Sequence, residues 1–135
     1  MASNFLVYDA SCQAAVDAFT ALLNSGFIKL YTGSQPALDG AVTGTLLVTM
    51  TFSGTAFAAS SAAGGTVTAN ANAVTSGTAG NSGTAAYFAL VKSDTTTVVA
   101  TGTVGTSNAD FIMNSTAITA TANVSCSAFQ ITMLQ

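Results

Sequence analysis

Histidine, arginine, glutamate and tryptophan are all missing from this 135-residue chain, which has one proline and two cysteines. Its formal charges are five Asp and two Lys, 5% of the residues, for a net charge of −3. Each absence closes off a class of chemistry. Without His there is no Ser–His–Asp relay and no imidazole for a zinc site. A glycosidase needs two carboxyls facing each other, and no spacing among the five Asp nominates a pair. Asp9 sits where it can cap a helix, while Asp39 and Asp94 stand beside turn residues, where Asp commonly bonds its own backbone. A Ser–Lys mechanism would have to use Lys29, inside an expected strand, or Lys92, at a hairpin end. Residues 77–83 have glycine spacing, but no Lys and no helix follows, so they do not form a phosphate loop. Calcium is the one metal that Asp and carbonyl oxygens could serve, and the acid count disfavours it. The expectation is a non-enzyme without cofactor.

The same scarcity limits partners. Lys29 and Lys92 are too few and too far apart in sequence for binding by counterion release, so nucleic acid is not expected. No apolar run approaches the roughly 18 residues of a spanning helix, and no membrane association is expected. The start lacks a basic region followed by a long apolar one, so synthesis as a soluble cytosolic product is expected. Cys12 and Cys126 either tie the two ends by a disulfide or stay reduced as small buried hydrophobes, which a cytosol favours.

What the chain does have is bulk in Ala, Gly, Ser and Thr, together more than half of it, and 50% apolar residues on a broad count. Disorder needs low hydrophobicity with high net charge, and neither holds. The length suits one domain over residues 1–135. Large core formers are scarce: eight Phe, three Tyr and scattered Leu, Ile and Val.

Residues 9–24 carry helical spacing. Asp9 or Ser11 can cap the start, and Cys12, Ala15, Val16, Phe19, Leu22 and Leu23 share one face. Gly26 is expected to take the left-handed conformation that ends it. The period then becomes alternating. Strands are expected at 27–32 and 46–52, the latter beginning with an apolar run that suits a strand covered on both faces. Weaker strands are expected at 55–59 and 66–69, and a loop at 70–83 that could hide a short strand at 73–75. Residues 84–92 and 97–104 form a hairpin about Ser93-Asp94-Thr95. Segments 110–114, 116–120 and 124–133 close the chain. This makes roughly eight to nine strands, the pattern of an antiparallel β-sandwich or jelly roll with one short N-terminal helix.

The order of motifs is informative. Ala-Ala-Val-Asp-Ala-Phe-Thr-Ala-Leu-Leu leads into Gly26-Phe-Ile-Lys-Leu-Tyr-Thr-Gly-Ser-Gln-Pro36, then Gly44-Thr-Leu-Leu-Val-Thr-Met-Thr-Phe52. Gly83-Thr-Ala-Ala-Tyr-Phe88 and Gly102-Thr-Val-Gly-Thr-Ser-Asn-Ala-Asp-Phe-Ile-Met-Asn114 follow. Taken together, this resembles the small jelly-roll decoration, or cement, proteins on the capsids of tailed bacteriophages. The resemblance implies a virion structural protein made in the bacterial cytoplasm. It would bind the outside of the major capsid protein shell and stabilise it, with further copies of itself as partners in a homodimer or homotrimer. The chain departs from that group in having Lys92 as the only base near the Tyr87-Phe88 strand, which argues against docking by charge. A tail or fibre-associated subunit for host attachment is the competing reading. A carbohydrate-binding sandwich is a third, disfavoured because sugar platforms usually stack on Trp or Tyr. The apolar residues Phe5, Leu6, Val7 and Tyr8, ahead of the helix, are the candidate contact with a neighbouring subunit or the shell.

Overall fold

The computed structural model describes residues 6–134. Helix α1 spans Asp9–Ala21 and hands over to a turn, so the last three residues of the expected 9–24 helix are not helical. Its N-cap is Tyr8, which makes no side-chain capping bond; Asp9 is the first helical residue and Ser11 lies inside the first turn. The inward face matches the expected one at Val16, Leu23 and the half-buried Cys12, which packs against the core, but departs from it elsewhere. Val16, Thr20 and Leu23 are buried, whereas Ala15 and Leu22 face solvent. Two polar ties explain the rotation. The Asp17 carboxylate accepts the Ser60 N–H at 2.9 Å, and the Gln13 amide donates to the Ser60 carbonyl at 3.0 Å. Once one face carries these bonds, a few apolar residues on the next face cannot outvote them. The left-handed residue is Ser25 (φ 57°), not Gly26. Gly26 is needed for closeness instead: a Cβ there would lie 2.4 Å from the Val91 carbonyl oxygen and 2.9 Å from that of Leu23.

The strands after α1 are β1 (Phe27–Tyr31), β2 (Leu46–Phe52), β3 (Ser61–Ala63) and β4 (Thr66–Asn70). Three two-residue strands follow, β5 (Val74–Thr75), β6 (Gly77–Thr78) and β7 (Gly83–Thr84). Then come β8 (Tyr87–Val91), β9 (Val98–Gly105), β10 (Phe111–Ile112), β11 (Ala117–Ile118), β12 (Asn123–Val124) and β13 (Gln130–Leu134). The protein is mostly β with one short helix. Gly64 and Gly65, both at positive φ, make the two-residue turn between β3 and β4, as a right-twisted hairpin demands.

A curled sheet of order β10-β9-β8-β1-β2-β5 forms the body, with β10 parallel to β9 and every other pairing antiparallel. A second sheet, β13-β4-β3, carries α1, and two short ladders, β11–β7 and β12–β6, stitch the loops. The expected 84–104 hairpin is present, pairing Tyr87↔Thr103 through Val91↔Val98. The expected single closing strand is split into β12 and β13, because residues 125–129 leave the alternating path to aim Phe129 into the core. The expected strand at 55–59 is reduced to one bridge, Phe57↔Ala71.

Every residue of β8 is buried, more completely than β2, the strand expected to be covered on both faces. One face of β8 presents Phe88 and Leu90 to the main core. On the other, Tyr31 and Tyr87 stack at 5.3 Å, and the Tyr87 hydroxyl holds loop 32–45 over the sheet. That hydroxyl accepts the Thr43 N–H at 3.1 Å and donates to the Thr43 carbonyl. Five phenylalanines, Phe52, Phe57, Phe88, Phe111 and Phe129, knit the core together. Phe129 touches the other four at ring-centroid distances of 5.9–6.3 Å. This aromatic cluster fills the core together with buried aliphatic residues such as Leu23, Ile28, Leu30, Leu47 and Met50.

Candidate docking surface

Several polar side chains of the kind that build active sites are tied up in structural bonds. Asp94 accepts the N–H groups of Thr96 and Thr97 at 2.9 and 2.8 Å, and the Thr97 hydroxyl as well. The Thr97 hydroxyl, then the two backbone donors, pull its carboxyl down from 3.8 to about 2. A lowered value means that the turn gains from the ionised form above about pH 4 and loses it as pH falls through about 2. We expect the protection of the Thr96 and Thr97 amides, measured by hydrogen-exchange NMR relative to the intrinsic rate at each pH, to fall across that acid window. Protection unchanged across it would show that the carboxylate does not hold the turn. Asp110 accepts both the N–H and the hydroxyl of Thr103, at 3.0 and 3.1 Å, and so locks β10 onto β9. Among the described residues no group of three or more Cys, Asp or Glu could hold a metal ion. No buried side-chain oxygen or nitrogen among them lacks a hydrogen bond.

Sequence distance misleads for the two lysines. Lys29 crosses to the β8–β9 turn, where its ammonium donates to the Thr95 carbonyl at 3.0 Å, three residues from Lys92. Both bases thus lie at one end of the large sheet, where Lys92 acts on the Asp94 carboxylate and Lys29 holds the turn through Thr95. Cys12 and Cys126 are unpaired and half-buried rather than fully buried. Burial pushes the Cys126 thiol up, which leaves less thiolate for reaction.

Unpartnered apolar groups are plentiful. Leu6 and Tyr8 are each 79% exposed and Val7 is also exposed, so these three of the four expected contact residues face solvent. Phe5 lies outside the described residues. Three further groups escaped sequence reasoning. Leu134 is 86% exposed at the end of β13, beside the exposed Met133. Ile112 points outward from β10. Residues 110–130 curl around an open hollow of about 750 Å³, with Phe111, Ile118 and Phe129 in its wall and Asn114, Ser125 and Gln130 among its polar lining. Alternation could have flagged Leu134. Nothing local signals the hollow, because three strands far apart in sequence, β6, β7 and β9, set its shape.

No helix of the described residues is long and apolar enough to cross a membrane. No protein-family model, no curated protein and no solved structure matches this chain. The class defined by fold and surface is therefore a small, mostly β domain with one short helix, very few charges and exposed apolar residues at several places.

Proposed function

We propose that this chain is a virion structural subunit, a decoration or cement protein that docks on the outer face of a major capsid protein shell and stabilises it. Its working location is then the virion surface, reached after synthesis in the bacterial cytoplasm. In this reading the curled six-stranded sheet and the β13-β4-β3 sheet are the two layers of a jelly-roll sandwich closed over the phenylalanine cluster. The observation that carries the proposal is the pairing of solvent-facing Leu6, Val7 and Tyr8 with a surface almost free of charge. Exposed apolar groups of this kind are a liability for a solitary soluble domain and an asset for a subunit seated in an assembly. A lattice needs little affinity per contact, since linked contacts multiply through effective concentration. Few charges also imply docking by apolar and backbone contacts that salt does not screen. The order of turn and strand motifs, which resembles that of phage decoration proteins, points to a capsid rather than another lattice. Image reconstruction of purified particles tests the reading. Density for the chain is expected on the outside of the head; density confined to the tail, or none, overturns it.

A further inference from the structure

Sheet edges are where a β domain leaves backbone N–H and C=O groups unpaired. The edges of the large sheet, β10 and β5, are two residues each, and the three-residue edge β3 lies under α1. β13 is different. It runs in unbroken register with β4 from Gln130↔Asn70 to Leu134↔Thr66, and no strand of the described residues pairs on its other side.

The direction of its free groups follows from the ladder. Ala71 N–H donates to the Phe129 carbonyl at 2.8 Å, which makes 129 and 71 a hydrogen-bonded pair one step before β13 begins. Bonded and non-bonded pairs alternate in an antiparallel ladder, so Ile131 and Met133 bond β4, while the backbone groups of Gln130, Thr132 and Leu134 point away from it. Asn70 agrees: its carbonyl turns from β13 to accept the Ala58 N–H at 2.9 Å. The outer edge of β13 is thus a regular row of donors and acceptors. It has none of the usual defences against pairing, neither Lys, nor Pro, nor bulge.

We infer that β13 pairs antiparallel with β13 of a second copy, about a two-fold axis at Thr132, joining two β13-β4-β3 sheets into one. Full overlap with side chains kept on matching faces places Thr132 opposite Thr132 of the second copy, Gln130 opposite Leu134, and Ile131 opposite Met133. That register makes about six new backbone hydrogen bonds. A two-fold axis sets like against like, so any charge near it would face itself; Asp110 is the last charged residue in the sequence, and none follows it. Side-chain burial points the same way. Val67 and Ala69 on β4 are fully buried, yet their cross-strand neighbours on the same face, Met133 and Ile131, are 39% exposed and half-buried. Burial on this face thins from β4 to β13, and a second β13 would set its own Met133 and Ile131 beside Ile131 and Met133 on the same face. The inference does not depend on the capsid reading.

Light scattering on the full chain tests it, with three variants at Thr132. The wild type is expected to have twice the chain mass at high concentration. Thr132→Pro removes an N–H that β4 does not use, so a folded monomer by circular dichroism is expected. Thr132→Lys and Thr132→Asp each set like charges across the axis, weakening the dimer about fivefold to tenfold. Mixing those two should restore it, because opposite charges then meet. A wild type that stays monomeric, a Thr132→Pro chain that still dimerises, or a Lys/Asp mixture no tighter than its parts would each overturn the inference.

Discussion

Replacing Phe88 by alanine is expected to lower stability by about 3–5 kcal/mol, measured as a shift in urea unfolding midpoint at constant slope. The ring is 5% exposed and meets Phe111 and Phe129, each at a centroid distance of 5.9 Å. Neighbours can collapse only partly into the void, because β8 is fixed on both sides by β1 and β9. Phe129→Ala is the informative contrast. Phe129 touches more aromatic rings than Phe88, but it is half-buried at the wall of the open hollow, so water already reaches one side. Its loss should be smaller, about 2 kcal/mol. If Phe129→Ala proved the more damaging, cohesion would rest on ring contacts rather than on burial.

Gly26→Ala is expected to cost about 3 kcal/mol and to lower the melting temperature by about 10 °C. The added methyl would approach the carbonyl oxygens of Val91 and Leu23, both backbone atoms with nowhere to retreat. Gly26 also bridges helix and sheet, donating its N–H to Leu23 at 2.8 Å and accepting the Phe52 N–H at 2.9 Å. Relief of the clash must therefore disturb the α1–β1 junction and the β1–β2 pairing together. Gly80→Ala is the control, since a Cβ there meets nothing within 4 Å. Equal melting points for the two variants would show that the junction is more compliant than its geometry indicates.

The parts of this fold that sequence reveals are those set by local rules. The alternation in residues 27–32 and 46–52, and Ser93-Asp94-Thr95 between two apolar runs, lead directly to β1, β2 and the β8–β9 hairpin. Local rules fail where distant backbone decides. Gly26 resembles a helix-ending glycine until Val91 is placed beside it. The face of α1 turns to bring Asp17 to Ser60, a residue 43 positions away. Of the six two-residue strands, β10 and β11 fall within the expected segments 110–114 and 116–120, and β5 within 73–75; β6 and β7 were not separately foreseen, because two residues carry no period, and β12 was merged with β13. The docking surface was half legible. The apolar run before α1 is plain in the sequence, but that β13 lies at an edge follows only from which strand reaches β4 first.

On the proposed function, a chain so poor in charge works by seating apolar and backbone surfaces against a repeated partner. Image reconstruction of the phage particle that the proposal assigns to this chain, at a resolution that traces it, measures this most directly. The expected map has a copy at each equivalent position on the outer shell, with Leu6, Val7 and Tyr8 buried in the contact and the Lys29–Lys92–Asp94 end turned to solvent. A map in which that charged end grips the shell while Leu6 and Tyr8 stay in water, or a particle lacking the chain altogether, would contradict it.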